Sequence, residues 1–288
     1  MVSLILATAC SASIALLFKV SSNRKMSREL VTTFNYLSAV MVSAILIGFN
    51  EEYKVVAFSS QAFRLTLMLG SLTGGLFLLS FLLYQESVKK NGASMSGMFA
   101  KLGILVPMLI SIILWKEMPT GLQTLGIFFA LIAIVLVNTK KSGSSVRSYH
   151  VTLMMALFLA GGFAEFSNKI FQKMVSFNYR PIFLLVVFMT AFALSVILLY
   201  SKRSHLMHKR SSVIMGIMVG IPNLFSSYFL LDALNQYPAS IVFPTYSAGS
   251  ILLITLVSSI FFKEHIKAKE QMALGFTAVG LILMNLQL

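Results

Sequence analysis

The amino-acid sequence predicts an all-α polytopic membrane protein with ten transmembrane helices, arranged as two inverted five-helix repeats. Three observations carry this prediction. Of 288 residues, 57% are hydrophobic and only 11% charged, whereas a soluble domain carries about 25% charged residues. The apolar residues fall into ten runs, each near the ~20 residues that cross a hydrocarbon core as a helix. Residue pairs in the first half of the chain also recur in the second at a nearly constant offset. With a mean hydropathy of +0.86, the composition excludes a soluble enzyme, a disordered chain and a disulfide scaffold. Cys10 is the single cysteine, so neither an intramolecular disulfide nor a cysteine-based metal site can form; a buried thiol in the first helix is expected.

In chain order, the first five spans are expected at Val2–Val20, Leu30–Phe49, Leu65–Glu86, Gly92–Trp115 and Gly121–Asn138. The second five follow at Val151–Met174, Pro181–Tyr200, Val213–Leu234, Pro238–Phe262 and Gln271–Leu286. Trp115 and most tyrosines, among them Tyr84, Tyr179, Tyr200 and Tyr237, fall at or near these ends, where amphipathic rings prefer the interface. The first run begins at Val2 without a basic stretch before it and ends without a small-residue cleavage site, so it reads as a span rather than a signal peptide. The connections are short and basic. A net charge of +14 would suit nucleic acid, but the cations form no stripe with interleaved aromatics, so no nucleic-acid partner is expected. The lipid bilayer is the expected surrounding.

Comparison of the halves is the most informative step. Gly70-x-x-x-Gly74 matches Gly216-x-x-x-Gly220 at an offset of 146, and Ala93-Ser94 matches Ala239-Ser240 at the same offset. Lys116-Glu117 matches Lys263-Glu264 at 147, as Asn138 matches Asn285. Four pairs in order are hard to attribute to chance. Each half, 1–142 and 143–288, then holds five helices. Five is odd, so the second half enters the membrane from the opposite side, an inverted repeat of the kind transporters use. Gly70, Gly74, Gly216 and Gly220 suit close helix packing, with Pro107, Pro222 and Pro244 as bends or hinges.

These motifs resemble the drug/metabolite transporter superfamily, specifically its ten-helix EamA-like branch. The residues carrying the resemblance are Tyr84-Gln-Glu-Ser87-Val88, Ala93-Ser94, Pro107, Lys116-Glu117 and Gly126 in the first half. In the second they are Ala233-Leu234, Pro238-Ala239-Ser240, Lys263-Glu264, Ala273 and Gly280. Two features depart from the family pattern: Leu230 replaces an aromatic residue, and the second-half proline sits early, at Pro244. The resemblance implies export of amino acids, other metabolites or drugs, and spans four and nine bordering the substrate cavity.

Charge sets an expected orientation. Loops on the side of the termini carry five Lys and Arg (Lys54, Arg64, Lys116, Lys173, Arg180), against fifteen on the other side, among them Arg24, Arg28, Lys89, Lys90, Lys140, Lys202 and Lys263. The positive-inside rule then places both termini outside the cytoplasm, in a multi-pass inner or plasma membrane protein.

Ionisable groups inside a span cost roughly 2.5–3.5 kcal/mol each on insertion and are functional candidates by default. Lys101 in span four has no acid within one turn, and a cation there would attract a substrate carboxylate or phosphate; its alternative is an ion pair with Glu165. Glu165 and Lys169 in span six stand four apart on one helical face, in the order that favours an ion pair. Either they neutralise each other and fix packing, or Glu165 changes protonation during turnover. In the related small multidrug-resistance proteins an essential glutamate lies in the first helix, and span six is the first helix of the second half. Asn223, Ser226, Ser227 and Tyr228 in span eight, with Thr245, Tyr246 and Ser247 in span nine, form polar patches beside Pro222 and Pro244. They line a cavity or form interhelical hydrogen bonds. Asp232, near the end of span eight, is expected in solvent.

No catalytic triad, phosphate-binding loop or metal-ligand spacing appears, and His150, His205, His208 and His265 fall in expected loops. The expected protein is therefore not an enzyme and carries no cofactor. It is a secondary transporter of small amino-acid-like or anionic metabolites by alternating access, with protons as a coupling partner. An uncoupled facilitator or exchanger is the near alternative and a membrane-embedded enzyme the distant one. Monomer and homodimer both remain open.

Overall fold

Eleven α-helices and one 3-10 turn account for nearly all of the described residues of the computed structural model, which are 1–24, 26–49, 60–91, 93–138, 150–201, 209–261 and 268–286. No strand occurs among them. The Lys263-Glu264 pair, Gly92, the loop cations Lys54, Lys140 and Lys202, and His205, His208 and His265 lie outside the described residues, as do the side chains of Ala93, Ser94, Asn138, Asn285 and Lys89.

The helices are α1 Val2–Asn23, α2 Arg28–Phe49, α3 Gln61–Asn91, α4 Ala93–Leu102, α5 Leu105–Trp115 and α6 Gly121–Asn138. They continue with α7 Val151–Met174, α8 Arg180–Ser201, α9 Lys209–Gln236, α10 Ala239–Phe261 and α11 Ala268–Asn285. Seven helices are long and apolar enough to cross a membrane, and three shorter apolar segments lie at Phe99–Trp115, Gly121–Leu136 and Gln271–Met284. The molecule is a polytopic all-α membrane protein.

Polar residues cap the first turns of several helices, and at α3 the cap starts the helix before the apolar run does. Ser60 Oγ accepts the Phe63 N–H at 3.1 Å, which starts α3 at Gln61, four residues ahead of the expected Leu65. At α6, Thr120 and Gln123 exchange hydrogen bonds as a capping box. Asn91 Oδ1 accepts the His150 N–H at 2.7 Å immediately before α7.

Span four differs from expectation. Instead of one helix over Gly92–Trp115 there are two, α4 and α5, separated at Gly103-Ile104. Pro107 accounts for the break, since it supplies no N–H for the Gly103 carbonyl and its ring would clash there. The freed carbonyl takes the Val106 N–H instead, at 3.0 Å, in a tightened turn. Two glycines let this turn lie against α7: a Cβ on Gly162 would meet Val106 at 2.6 Å and the Gly103 carbonyl oxygen at 2.7 Å. Pro222 and Pro244, by contrast, sit within the continuous helices α9 and α10.

Helix α5 ends at Lys116, whose φ of 54° places it in the left-handed region. That turn presents Glu117, whose carboxylate accepts the Ala239 N–H at 2.7 Å at the start of α10. A carboxylate there also meets the positive end of the helix dipole.

The chain packs as two units, and each draws on both sequence halves. The first comprises residues Met1–Leu78 and Ser167–Gln236, the second Leu79–Phe166 and Tyr237–Leu288. Within the first, Met26, Val31, Met215 and Val219 form an apolar cluster from α2, α9 and the turn before α2, and the Phe171 and Phe183 rings stack at 4.0 Å. Glycines set its closest approaches: Gly70 and Gly74 of α3 press on Val186 and Val187 of α8, and Gly216 and Gly220 of α9 press on α2 at Phe34 and Asn35. In the second unit Met108, Ile127, Ala130, Ile241, Ala248 and Met284 form the core, with Gly126 of α6 against Gly280 of α11.

Candidate functional site

The break in span four places Lys101 in the last turn of α4, two residues before the chain leaves the helix. Its Nζ donates one hydrogen bond, 3.3 Å to Ser250 Oγ of α10. Ser250 is itself buried and donates to the Ser247 carbonyl at 2.9 Å. Lys101 makes no ion pair among the described residues, so it is not locked to Glu165. Glu165, half-buried on α7 in the same unit, is near enough for its charge to act on the ammonium. On α10 the Ser240 and Ser247 hydroxyls are buried without a hydrogen-bond partner. An ammonium with spare donors among the described residues, a carboxylate in the same unit and the buried Ser247 hydroxyl one turn from Ser250 can receive a small polar solute. Tyr246, half-buried between Thr245 and Ser247, belongs to the same unit.

The other three candidates belong to the first unit. Lys169 is only 1% exposed although it lies one turn from Glu165 on the continuous helix α7, and both residues take part in further interactions. Asn223 Nδ2 donates to Asn35 Oδ1 at 3.0 Å, tying α9 to α2. Tyr228 lies in a cluster that the sequence reading overlooked.

That cluster centres on Arg180, the first residue of α8. Its side chain is 8% exposed, and its Nη1 lies 3.1 Å from Asp232 Oδ1. Asp232 is therefore not simply solvated as expected: it pairs with Arg180, and its Oδ2 accepts from Ser3 and, at 2.9 Å, from Gln236. The Tyr228 hydroxyl accepts from Arg180 Nη2. The guanidinium also lies over the Tyr228 ring at 3.6 Å and the Phe177 ring at 4.2 Å. Arg180 read as a loop cation because it precedes Pro181 at a span boundary; the four-residue spacing of Tyr228, Asp232 and Gln236 on one face of α9 was the signal available. Cys10 is half-buried rather than buried. No cluster of three metal-ligating side chains occurs among the described residues.

The described residues define a polytopic helical membrane protein with ionisable groups inside its apolar segments. Comparison with known proteins agrees: residues 1–139 match the model of the EamA-like transporter family. Members of that family are membrane transporters of the drug/metabolite superfamily. An uncharacterized protein of Haemophilus influenzae is 26% identical over 283 residues, 95% of this chain and 94% of its own. YvaE, an uncharacterized membrane protein of Bacillus subtilis, is 31% identical over 61 residues, which are 21% of this chain and 51% of that protein. One crystal structure matches with a TM-score of 0.79 over 99% of this chain and 96% of the other, at 16% identity, which is a likeness of fold.

Proposed function

We propose that this transporter is a secondary exporter of small zwitterionic or anionic metabolites, amino acids among them, working by alternating access. The observation that carries this reading is Lys101: an ammonium within a span that, among the described residues, is held by a long hydrogen bond to Ser250 without an ion pair, at the break between α4 and α5. Discontinuous helices recur at the substrate sites of secondary transporters because the broken turn leaves backbone groups available to solute. A charge in a span is costly to insert, and an unpaired one more so. A substrate carboxylate supplies the missing counter-ion.

In this reading Glu165 is the proton carrier. A solute whose binding and the protonation of Glu165 exclude one another would be exchanged for protons, the coupling an exporter needs. Support for an inverted repeat comes from the glycine contacts: α3 presses on α8 as α9 presses on α2, the same pairing with the halves exchanged. In the repeat numbering α8 stands for α2 and α9 for α3. The proposed orientation, with both termini outside the cytoplasm, gains from removing Arg180 from the exposed loop cations, because Asp232 neutralises it.

The test is uptake of a pooled amino-acid and organic-acid mixture into proteoliposomes under an imposed pH gradient. Gradient-dependent accumulation that falls at least tenfold in Lys101→Ala and loses its gradient dependence in Glu165→Gln is expected. Unchanged uptake in both variants would remove the site. Uptake that ignores the gradient in wild type would make the protein an uncoupled facilitator or exchanger.

A further inference from the structure

We propose that Arg180 forms a second oxyanion-binding subsite, separate from Lys101, at the end of the first unit where α1, α8 and α9 meet. The proposal rests on the reading of the protein as a carrier of carboxylated or phosphorylated solutes.

The guanidinium edge carries the argument. Arginine offers two forks for a planar oxyanion: Nη1 with Nη2, and Nε with Nη2. Asp232 occupies neither fully, since a single oxygen meets Nη1 at 3.1 Å while its other oxygen turns to Ser3 and Gln236. Nη2 is taken by a neutral hydroxyl, that of Tyr228. Nε is buried and has no hydrogen-bond partner among the described residues. Thus the Nε–Nη2 fork of a guanidinium more than nine-tenths buried holds no carboxylate. Burying an unsatisfied charged donor is unfavourable, and such a group calls for an explanation. A purely structural pair would be expected to close both teeth of the fork.

The surroundings fit a bound oxyanion. The guanidinium lies over the Tyr228 and Phe177 rings, which steady it for recognition of an oxyanion through its N–H groups. Asp232 stabilises the cation between binding events without using that edge. When a carboxylate or phosphate seats on Nε and Nη2, the Tyr228 ring shifts and its hydroxyl leaves Nη2. The same chemistry is offered by a substrate and by a lipid headgroup.

The test uses the full chain in detergent, with thermal unfolding followed at matched ionic strength in chloride, succinate, inorganic phosphate or added phosphatidylglycerol. At least one oxyanion is expected to raise the unfolding temperature of wild type. In Tyr228→Phe, which keeps the ring and removes the competing hydroxyl, the apparent affinity should tighten severalfold. In Arg180→Lys, which keeps the charge and loses the fork, it should weaken at least tenfold. Stabilisation by phosphatidylglycerol alone assigns the subsite to a lipid. No response of wild type to any of the three, or an unchanged affinity in Tyr228→Phe, overturns the proposal even if Arg180→Lys fails to fold. Lys101→Ala is expected to keep the response. Loss of uptake in that variant with no Arg180-dependent binding therefore defeats the subsite alone, and the converse defeats only the transport reading.

Discussion

Gly126 of α6 and Gly280 of α11 face each other so closely that a Cβ on either would lie 2.7 or 2.8 Å from the other's carbonyl oxygen. Lipid tails provide no hydrophobic drive between helices, so such backbone approach is what holds them together. Backbone cannot step aside as a flexible side chain can. Gly126→Ala is expected to lower stability by about 1–3 kcal/mol, the usual cost of overpacking. Gly75→Ala is the control: nothing lies within 4 Å of a Cβ there, in the interior of α3. That change should stabilise by about 0.5–1 kcal/mol through helix propensity. Thermal unfolding of both variants in one detergent gives the comparison, and equal shifts would refute it.

The glycines that pack α3 on α8 and α9 on α2 are graded in the same way. A Cβ on Gly220 would meet the Asn35 carbonyl oxygen at 2.2 Å, and one on Gly74 the Val187 carbonyl oxygen at 2.3 Å. On Gly70 the nearest atoms belong to the Val186 side chain, at 2.9 Å. Alanine at 220 or 74 should therefore cost more than alanine at 70, within the range of about 1–3 kcal/mol or above it. The same unfolding assay reads the ranking, and a larger loss at Gly70 would contradict the packing.

Glu117 acts on a helix far away in sequence. Its carboxylate accepts the Ala239 N–H at the start of α10, where orphan donors and the helix dipole both favour a negative charge. Glu117→Gln keeps an acceptor and loses the charge, and should cost about 0.3–1 kcal/mol. Glu117→Ala loses both and should cost about 1 kcal/mol or more. Amide exchange at the first turn of α10 should rise in the same order; an unchanged rate in Glu117→Ala would show the bond to be incidental.

What the sequence disclosed and what it withheld follow physical lines. Apolar run length located helices because hydrocarbon thickness sets it, and Val151–Met174 and Gly121–Asn138 came out to the residue. Helix starts such as Gln61 were missed because a Ser60 cap adds a polar turn that hydropathy does not register. Lys101 was legible as a charge inside a span. Arg180 was not, because a cation at a span boundary looks the same whether it faces water or lies beneath Tyr228 and Asp232. Only the partner's position distinguishes the two, and Asp232 is 52 residues away.

Pro107 offers the sharpest link between a local rule and transport. Proline denies Gly103 its helical partner, so span four divides into α4 and α5 and leaves Lys101 at the end of the first piece. Alanine at 107 restores an N–H that can bond the Gly103 carbonyl and lets one helix run through. Proline in a helix interior costs about 3 kcal/mol relative to alanine; because the break already relieves part of that strain, the gain in stability should be smaller but positive. Transport should move the other way. A continuous helix removes the turn that ends α4 beside Lys101, so Pro107→Ala is expected to unfold at a higher temperature while substrate uptake falls several-fold. A variant that is both more stable and equally active would show that the break is a packing feature with no part in substrate handling.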